Sequence, residues 1–353
     1  MKKYIGLVLA LTILISGCKK DEDTIIDPTV PENITVQNFM WKAMNIWYFW
    51  QQDVPVLADD HFTTNTDYLD YLKQFDDPKA FYEDELQYSA DRFSFLSEDY
   101  KSLVQSFQGI TKSNGLEFGL VRFQGSDFVF GYVRYIVPNS NAATKEIARG
   151  DIFTGVDGKK LDVNNYMDLL FGDNVTYTLN MADIADGVAT DNGKEVSLTK
   201  QEGLVEDPIF LSKTFEINGK KIGYLVYNGF MSNYDEKLNT VFGEFKSQGV
   251  TELVLDLRYN PGGSVNSSRL LSSMIYGTDT NKLYIHQRWN EKIEAQFDPK
   301  DLNDYFADKT DGGSPITTLG LSKVYVLATQ SSASASELVI NCLAPYREVE
   351  QLG

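Results

Sequence analysis

The chain has 353 residues, 42% of them hydrophobic, with a formal net charge of −18 and an isoelectric point near 4.5. That content supports two or three compact domains with real cores and excludes a disordered chain. Binding to a phosphate backbone draws on clustered Lys and Arg that this acidic chain lacks, so the charge argues against a nucleic-acid partner and suits a soluble body that must not stick to anionic surfaces.

Lys2 and Lys3 form a basic start, and Tyr4–Ile15 is an apolar run of 12 residues. A membrane-spanning helix needs about 20 such residues, so residues 1–18 read as a targeting segment. Leu14-Ile15-Ser16-Gly17-Cys18 resembles a bacterial lipobox, which implies that Cys18 is acylated and holds the chain on a membrane through several acyl chains. Only Cys18 and Cys342 are present, so no disulfide framework is available. Lys19-Lys20-Asp21-Glu22-Asp23 is a solvated charge run. It also resembles the signal that carries lipoproteins to the outer face of a Gram-negative outer membrane. The expected location is therefore the outer membrane, facing the periplasm or the cell surface. Residues 19–34, with Pro28 and Pro31, read as a tether.

From Val36 to about Phe107 the pattern is helical and rich in aromatics (Phe39, Trp41, Trp47, Tyr48, Trp50, Tyr68, Tyr71), with no long strand alternation. Residues 35–108 are expected to form a helical domain whose aromatic stripe is core. Residues 109–187 alternate in short strands separated by Gly and Asn turns. Gly115–Gly119 opens the first strand, Val129–Val137 forms the next, Val156-Asp157-Gly158 reads as a hairpin-like turn and Asn164–Phe171 as a helix. This order resembles a PDZ domain of the circularly arranged bacterial type. The resemblance implies that Gly115, Leu116, Glu117 and Phe118 receive a peptide carboxylate on backbone amides while the peptide pairs as an added strand. Glu117 stands where that family has a glycine, which weakens carboxylate capture. A small β-domain that only packs on its neighbour is the alternative.

Residues 188–353 read as an α/β core. Lys221–Tyr227 is an apolar strand, Ser232–Gln248 an amphipathic helix and Thr251–Leu257 a second strand. Asp256-Leu257-Arg258-Tyr259-Asn260-Pro261-Gly262-Gly263 comes next, then a helix over Ser264–Ile275. A Pro-Gly-Gly turn between strand and helix frees consecutive amides beside a helix N-terminus, a natural place to hold a developing oxyanion, though alone it is only a tight turn. Near the end, the strand Lys323–Thr329 leads into Gln330–Cys342 (QSSASASELVINC). Ser334-Ala335-Ser336-Glu337 is a capping box for a helix over Glu337–Ala344.

With these two motifs in order behind a PDZ-like segment, the chain resembles the C-terminal processing, or tail-specific, serine peptidases. The resemblance implies a multidomain α/β protein with an N-terminal helical segment, a PDZ-like β-rich domain and a crotonase-like protease core. It also implies that Ser334 is the nucleophile and that the amides of Ala335 and of Gly262 or Gly263 form the oxyanion hole. A serine hydroxyl needs a base. His61 and His286 show no triad spacing with a carboxylate, whereas the family uses a lysine made neutral by burial. That lysine is expected beyond residue 353, after a strand and a Thr-x-Gly-Lys type turn; Lys323 starts the wrong end of its strand.

The resulting expectation is a membrane-anchored serine endopeptidase with a Ser-Lys dyad, acting on polypeptides through their free C-termini. Two rivals remain: an inactive peptide-binding lipoprotein on the same scaffold, and a binder of apolar small molecules. No cofactor is implied. No metal site is visible either, since the histidines are far apart and the acidic residues do not alternate as in a cation loop.

Overall fold

The computed structural model describes residues 30–353, so Cys18 and most of the tether lie outside the described residues. The described chain divides into two units, one of residues 30–96 with 288–297 and the other of residues 97–287 with 298–353.

In the first unit, a helix α1 (Thr35–Trp47) and a helix α2 (Asn65–Leu72) are joined by short 3-10 turns, and a one-turn helix at Pro78–Ala80 runs into a π-helical turn at Phe81–Leu86. Leu57, Leu72, Phe81 and Leu86 are fully buried at its centre. Trp41, Phe62, Tyr68, Tyr71 and Phe75 pack around them, mostly edge to face, an arrangement that favours aromatic pairs beyond simple burial. Not all of the aromatic stripe is core, however. Phe39 is 70% and Trp47 60% exposed, because α1 turns Gln37, Asn38 and Asn45 inward instead. Two of those amides are held by backbone: Gln37 donates to Phe75 O at 2.7 Å and Asn45 to Leu57 O at 2.8 Å.

Residues 288–297 belong to this unit through Asn290, whose amide donates to Ile46 O and Tyr48 O, both at 2.8 Å, while its oxygen accepts from Ile293 N. It thus donates to Ile46 O near the end of α1 and adds a second donor to Tyr48 O, which also accepts from Gln51 N at 3.1 Å.

The second unit has a β-rich part and an α/β part. A helix α3 (Tyr100–Ser106) precedes β1 (Ile110–Ser113), β2 (Leu116–Arg122), β3 (Val129–Ile136), β4 (Ile152–Val156), β5 (Lys159–Lys160), a helix α4 (Tyr166–Phe171), β6 (Thr176–Ala185), β7 (Val188–Thr199) and β8 (Gln201–Val205). The main sheet runs β2-β3-β4-β6-β7, all antiparallel, with β2 at one edge; β1 pairs separately with β8. Asp157 and Gly158, with φ of 51° and 75°, make the tight turn between β4 and β5, as a two-residue hairpin of this twist requires. The β-rich part therefore continues to Val205, past the expected boundary at residue 187. Its core is Leu116, Val133, Phe153, Val156, Leu161, Leu179 and Leu198.

The α/β part comprises β9 (Ile209–Ile217), β10 (Lys220–Tyr227), a helix α5 (Asp235–Ser247), β11 (Glu252–Asp256), a helix α6 (Val265–Tyr276), β12 (Leu283–His286), β13 (Asn303–Tyr305), β14 (Lys323–Leu327), a helix α7 (Ala335–Leu343) and β15 (Glu348–Leu352). Its sheet order is β15-β14-β11-β10-β9, with β10, β11, β14 and β15 parallel and β9 antiparallel at the edge. Leu225, Leu253, Leu255, Val324 and Val326 are completely buried in these strands, against Phe242 of α5, Leu270, Leu271 and Met274 of α6 and Val339 of α7. Near-continuous apolar strands are what a sheet covered on its faces demands. No helix among the described residues is long and apolar enough to cross a membrane.

Asn290→Ala should leave Ile46 O without a donor, leave Tyr48 O with only Gln51 N, and lower the unfolding free energy by about 1–3 kcal/mol. Asn290→Asp should do no better at neutral pH, since a carboxylate cannot donate. Urea titrations followed by tryptophan emission read both variants.

Candidate active site

The C-terminal ends of adjacent parallel strands are where α/β sheets collect ligands. Here β11 ends in the Asp256–Gly263 segment and β14 in the serine-rich turn, and the two turns are bonded to each other. Asn260, completely buried, ties them. Its side-chain amide donates to Tyr227 O at 2.9 Å, its side-chain oxygen accepts from Gly262 N at 2.9 Å, and its carbonyl accepts from Ala333 N at 3.3 Å and Ser336 Oγ at 3.0 Å. Ser332 Oγ donates to Leu257 O at 2.7 Å and accepts from Thr329 N at 2.9 Å. Sequence reasoning missed Asn260; its one signal is an amide side chain directly before Pro-Gly-Gly.

Of the three alternating serines, Ser332 and Ser336 are thus engaged in holding the turn. Ser334 is different. It is exposed, with φ 53° and ψ −115°, a conformation that costs a residue with a Cβ about 1–3 kcal/mol. As expected from the sequence it caps α7 in a capping box, its own N–H donating to Glu337 Oε2 at 2.7 Å. The strained backbone at this one residue sets the sharp entry into the helix.

The two glycines are not equivalent. A Cβ on Gly262 would stand 2.6 Å from Ser334 Cβ and 2.9 Å from Ala333 O, and φ there is 107°, so only glycine allows this approach. Gly262 N is committed to Asn260. Gly263, with φ 131°, sits against Phe230: Phe230 N donates to Gly262 O at 2.9 Å and Ser264 N to Phe230 O at 2.8 Å. Among the described residues no acceptor takes the N–H of Gly263 or of Ala335. Of the expected oxyanion donors, then, Gly263 and Ala335 have open amides and Gly262 has not.

Electrostatics around the turn favour rigidity. Asp256, only 2% exposed, loses solvent but is held by Arg258 (Nε–Oδ1 2.9 Å) and by Tyr224 Oη at 2.7 Å, and the net effect keeps its carboxyl below the usual range. Tyr259 lies among Arg134, Arg149 and Arg258, with Arg149 donating to its hydroxyl at 3.1 Å. Lys323 pairs with Glu348 at 2.9 Å and with Glu350, and these carboxylates drive its ammonium further above the usual lysine range. It is thereby unsuited to act as a neutral amine. His286 bonds Asn303 Oδ1 and lies on β12, and His61 packs edge-on against Phe62 in the other unit. Among the described residues no group of three His, Cys, Asp or Glu could hold a metal.

The residues expected to receive a carboxylate lie elsewhere in the β-rich part. Gly115 N already donates to Ser113 Oγ at 3.0 Å and Leu116 N to Asn114 Oδ1 at 2.9 Å, so these two amides are satisfied within their own turn. Phe118 packs on Phe153 and Phe171. Glu117 pairs across to Tyr135 on β3, and burial together with Glu206 pushes its carboxyl up to about 7 despite Arg134. Tyr135 donates to Glu206 Oε1 at 2.9 Å.

An exposed, strained serine at a helix start beside two open amides is the arrangement of serine-nucleophile hydrolases. Residues 221–353 match the model of Peptidase family S41, and residues 35–95 match that of the Peptidase S41 N-terminal domain. The chain belongs to the S41, or C-terminal processing, peptidase family. It is 29% identical over 154 residues to a carboxyl-terminal-processing protease of Picosynechococcus sp., covering 44% of this chain and 32% of that protein. To a CtpA-like serine protease of Staphylococcus haemolyticus it is 23% identical over 359 residues, covering 99% of this chain and 60% of the relative. A crystal structure described as an S41 protease of Bacteroides fragilis superposes with a TM-score of 0.62 at 27% identity, covering 89% of this chain and 77% of that one. The matched segments span about a third of the length of the first curated relatives.

Because the folded protein holds the Glu117 proton more tightly than an unfolded chain does, the stability this gives is whole below a pH of about 4.3 and is lost as pH rises through about 7. Stability should therefore fall by up to about 3 kcal/mol between pH 5 and 8. Glu117→Gln should flatten that fall to the part due to Glu206 and Asp235, both of which burial also raises, Asp235 to about 6. Urea midpoints at the two pH values decide it.

Proposed function

We propose that this protein is a serine endopeptidase of the C-terminal processing type, anchored to a membrane through an acylated Cys18. The observation that carries the reading is the exposed Ser334 packed against Gly262, with open amides on the next residue of each segment, Gly263 and Ala335. Ser334 Oγ attacks the scissile carbonyl, its proton passes to a base, and the two amides receive the negative charge that develops on the carbonyl oxygen. The protonated base gives that proton to the leaving amine as the C–N bond breaks and an acyl-enzyme ester remains; water then loses a proton to the same base as it attacks the ester, and the base passes that proton to the departing Ser334 Oγ.

The base in this reading is a lysine beyond residue 353. Its support is positional: β15 runs parallel to β14, and Leu352 O accepts from Ala328 N at 2.9 Å, so a chain continuing past β15 emerges beside the strand end that leads into the Ser334 turn. The β-rich part is read as PDZ-like. Its edge strand β2 offers an unpaired side on which a peptide can add as a strand. Since the Gly115 and Leu116 amides are already bonded, recognition would rest on strand pairing more than on carboxylate capture. The lipid anchor and the Lys19–Asp23 run support a location on the outer membrane, facing the periplasm or the cell surface.

The test is turnover of a peptide with an apolar C-terminus. Residues 1–353 should hydrolyse it near background, and a chain continued through a Thr-x-Gly-Lys type turn should gain activity. In that longer chain Ser334→Ala should lower kcat at least about a thousandfold, and the rate should rise with pH through neutrality as the lysine loses its proton. Undiminished turnover in Ser334→Ala would remove the nucleophile assignment. Full activity of the 353-residue chain would remove the lysine, and no activity in either chain would favour a peptide-binding protein without catalysis.

A further inference from the structure

The helix α1 has two apolar faces. One, with Trp41 and Met44 beside the buried Gln37, Asn38 and Asn45, packs on the unit's own core. At 3.6 residues per turn, Val36, Phe39, Ala43, Ile46 and Trp47 share an arc of about 100° on the other side. Val36 is 50%, Phe39 70%, Ile46 43% and Trp47 60% exposed, and Phe49, just past the helix, is 51% exposed. A solvated helix face normally carries charge, and a contiguous apolar stripe of this size marks an interaction surface. The composition of α1 is unusual for this chain as well. Of the 50 Asp and Glu residues none falls within Thr35–Trp47, whose single charge is Lys42.

We propose that this face docks on the surface of the bilayer that holds the acylated Cys18, with the rings of Phe39, Trp47 and Phe49 in the headgroup region. The proposal rests on the lipid-anchor reading. Thr35 lies 17 residues past Cys18, at most about 60 Å of extended chain. The face is therefore held close to the lipid at a high effective concentration, and a weak interfacial affinity is enough to populate the docked state. Phe and Trp on one side of a helix are suited to the membrane–water boundary, where apolar rings enter the acyl region and the indole N–H stays hydrated. The absence of carboxylates from α1 removes the repulsion from lipid phosphates that the rest of this acidic surface would meet.

The experiment uses the lipidated full chain in vesicles of phosphatidylcholine and phosphatidylethanolamine, with and without bromine-labelled acyl chains that quench nearby tryptophan. Quenching of the wild type is expected, with loss of that quenching in Trp47→Phe and a marked reduction in Phe39→Asp. Because Phe39 is exposed, the Asp variant should keep its fold, and circular dichroism checks this. Equal emission in brominated and plain vesicles would overturn the proposal, as would quenching that Phe39→Asp leaves unchanged. A concentration-dependent dimer in detergent that Phe39→Asp dissociates, with no quenching in vesicles, would assign the face to a second copy and overturn it too. Mass spectrometry of the mature N-terminus tests the anchor separately. Should Cys18 prove unmodified, a chain with a hexahistidine segment in place of residues 1–18, held on nickel-chelating lipid, still reads the docking face: quenching there supports it and its absence overturns it.

Discussion

The relation between the two strand-end turns depends on one buried carboxamide. Asn260 fills the space between β10, the Pro-Gly-Gly turn and the start of α7, and its polar groups find partners in all three. A buried amide so placed is expensive to leave unsatisfied, so the three segments are fixed relative to one another or the fold loses several hydrogen bonds together. The consequence reaches the chemistry. By taking Gly262 N for itself, Asn260 leaves Gly263 N as the open donor, and by bonding Ala333 and Ser336 it fixes the residues on both sides of Ser334.

The turn is braced from the β-rich side as well. Tyr259, next to Asn260, stacks on Tyr135 of β3 with ring centroids 6.0 Å apart and is surrounded by three guanidinium groups. Cations over an aromatic face are favourable, and more so where they are partly desolvated. Arg258 is also neutralised by Asp256, so the cluster does not simply accumulate positive charge. Donors aimed at a developing oxyanion are effective only if they need not reorganise. Bracing from two directions supports the rigidity that the proposed oxyanion donors need.

Most of the α/β part was legible because its strands are short apolar runs ending in unmistakable turns. The strand at Lys221–Tyr227, the helix after Gly263 and the capping box at Ser334 all fall within a residue or two of their expected bounds. The β6–β7 hairpin was not legible: Val188–Thr199 reads VATDNGKEVSLT, and pairing with β6, not hydrophobic alternation, makes it a strand. The same holds for β9, whose exposed Phe210, Leu211, Phe215 and Ile217 blur its period. Residues 288–297 could not be assigned to the helical unit from sequence, since a contact through Asn290 across more than 240 positions leaves no local signal. The aromatic stripe misled in a more informative way. Periodicity shows that α1 has an apolar face, but not that Asn and Gln, with backbone acceptors waiting, would take the interior in its place.

The three serines of the motif show why composition alone could not separate capping from chemistry. Each hydroxyl lies near a helix start, and each is polar where burial would demand a partner. Ser332 and Ser336 have theirs in the carbonyls of Leu257 and Asn260, and a hydroxyl donating to a buried carbonyl is a poor candidate for proton transfer to anything else. Ser334 is exposed on a strained backbone. In the proposed reading its base is a lysine, which is neutral at physiological pH only when burial outweighs attraction to carboxylates. Lys323 has the opposite surroundings, with two glutamates from β15 holding it charged. Its pairing instead joins β14 to β15 along the edge of the sheet, which sets the position of the strand that runs beside the serine turn.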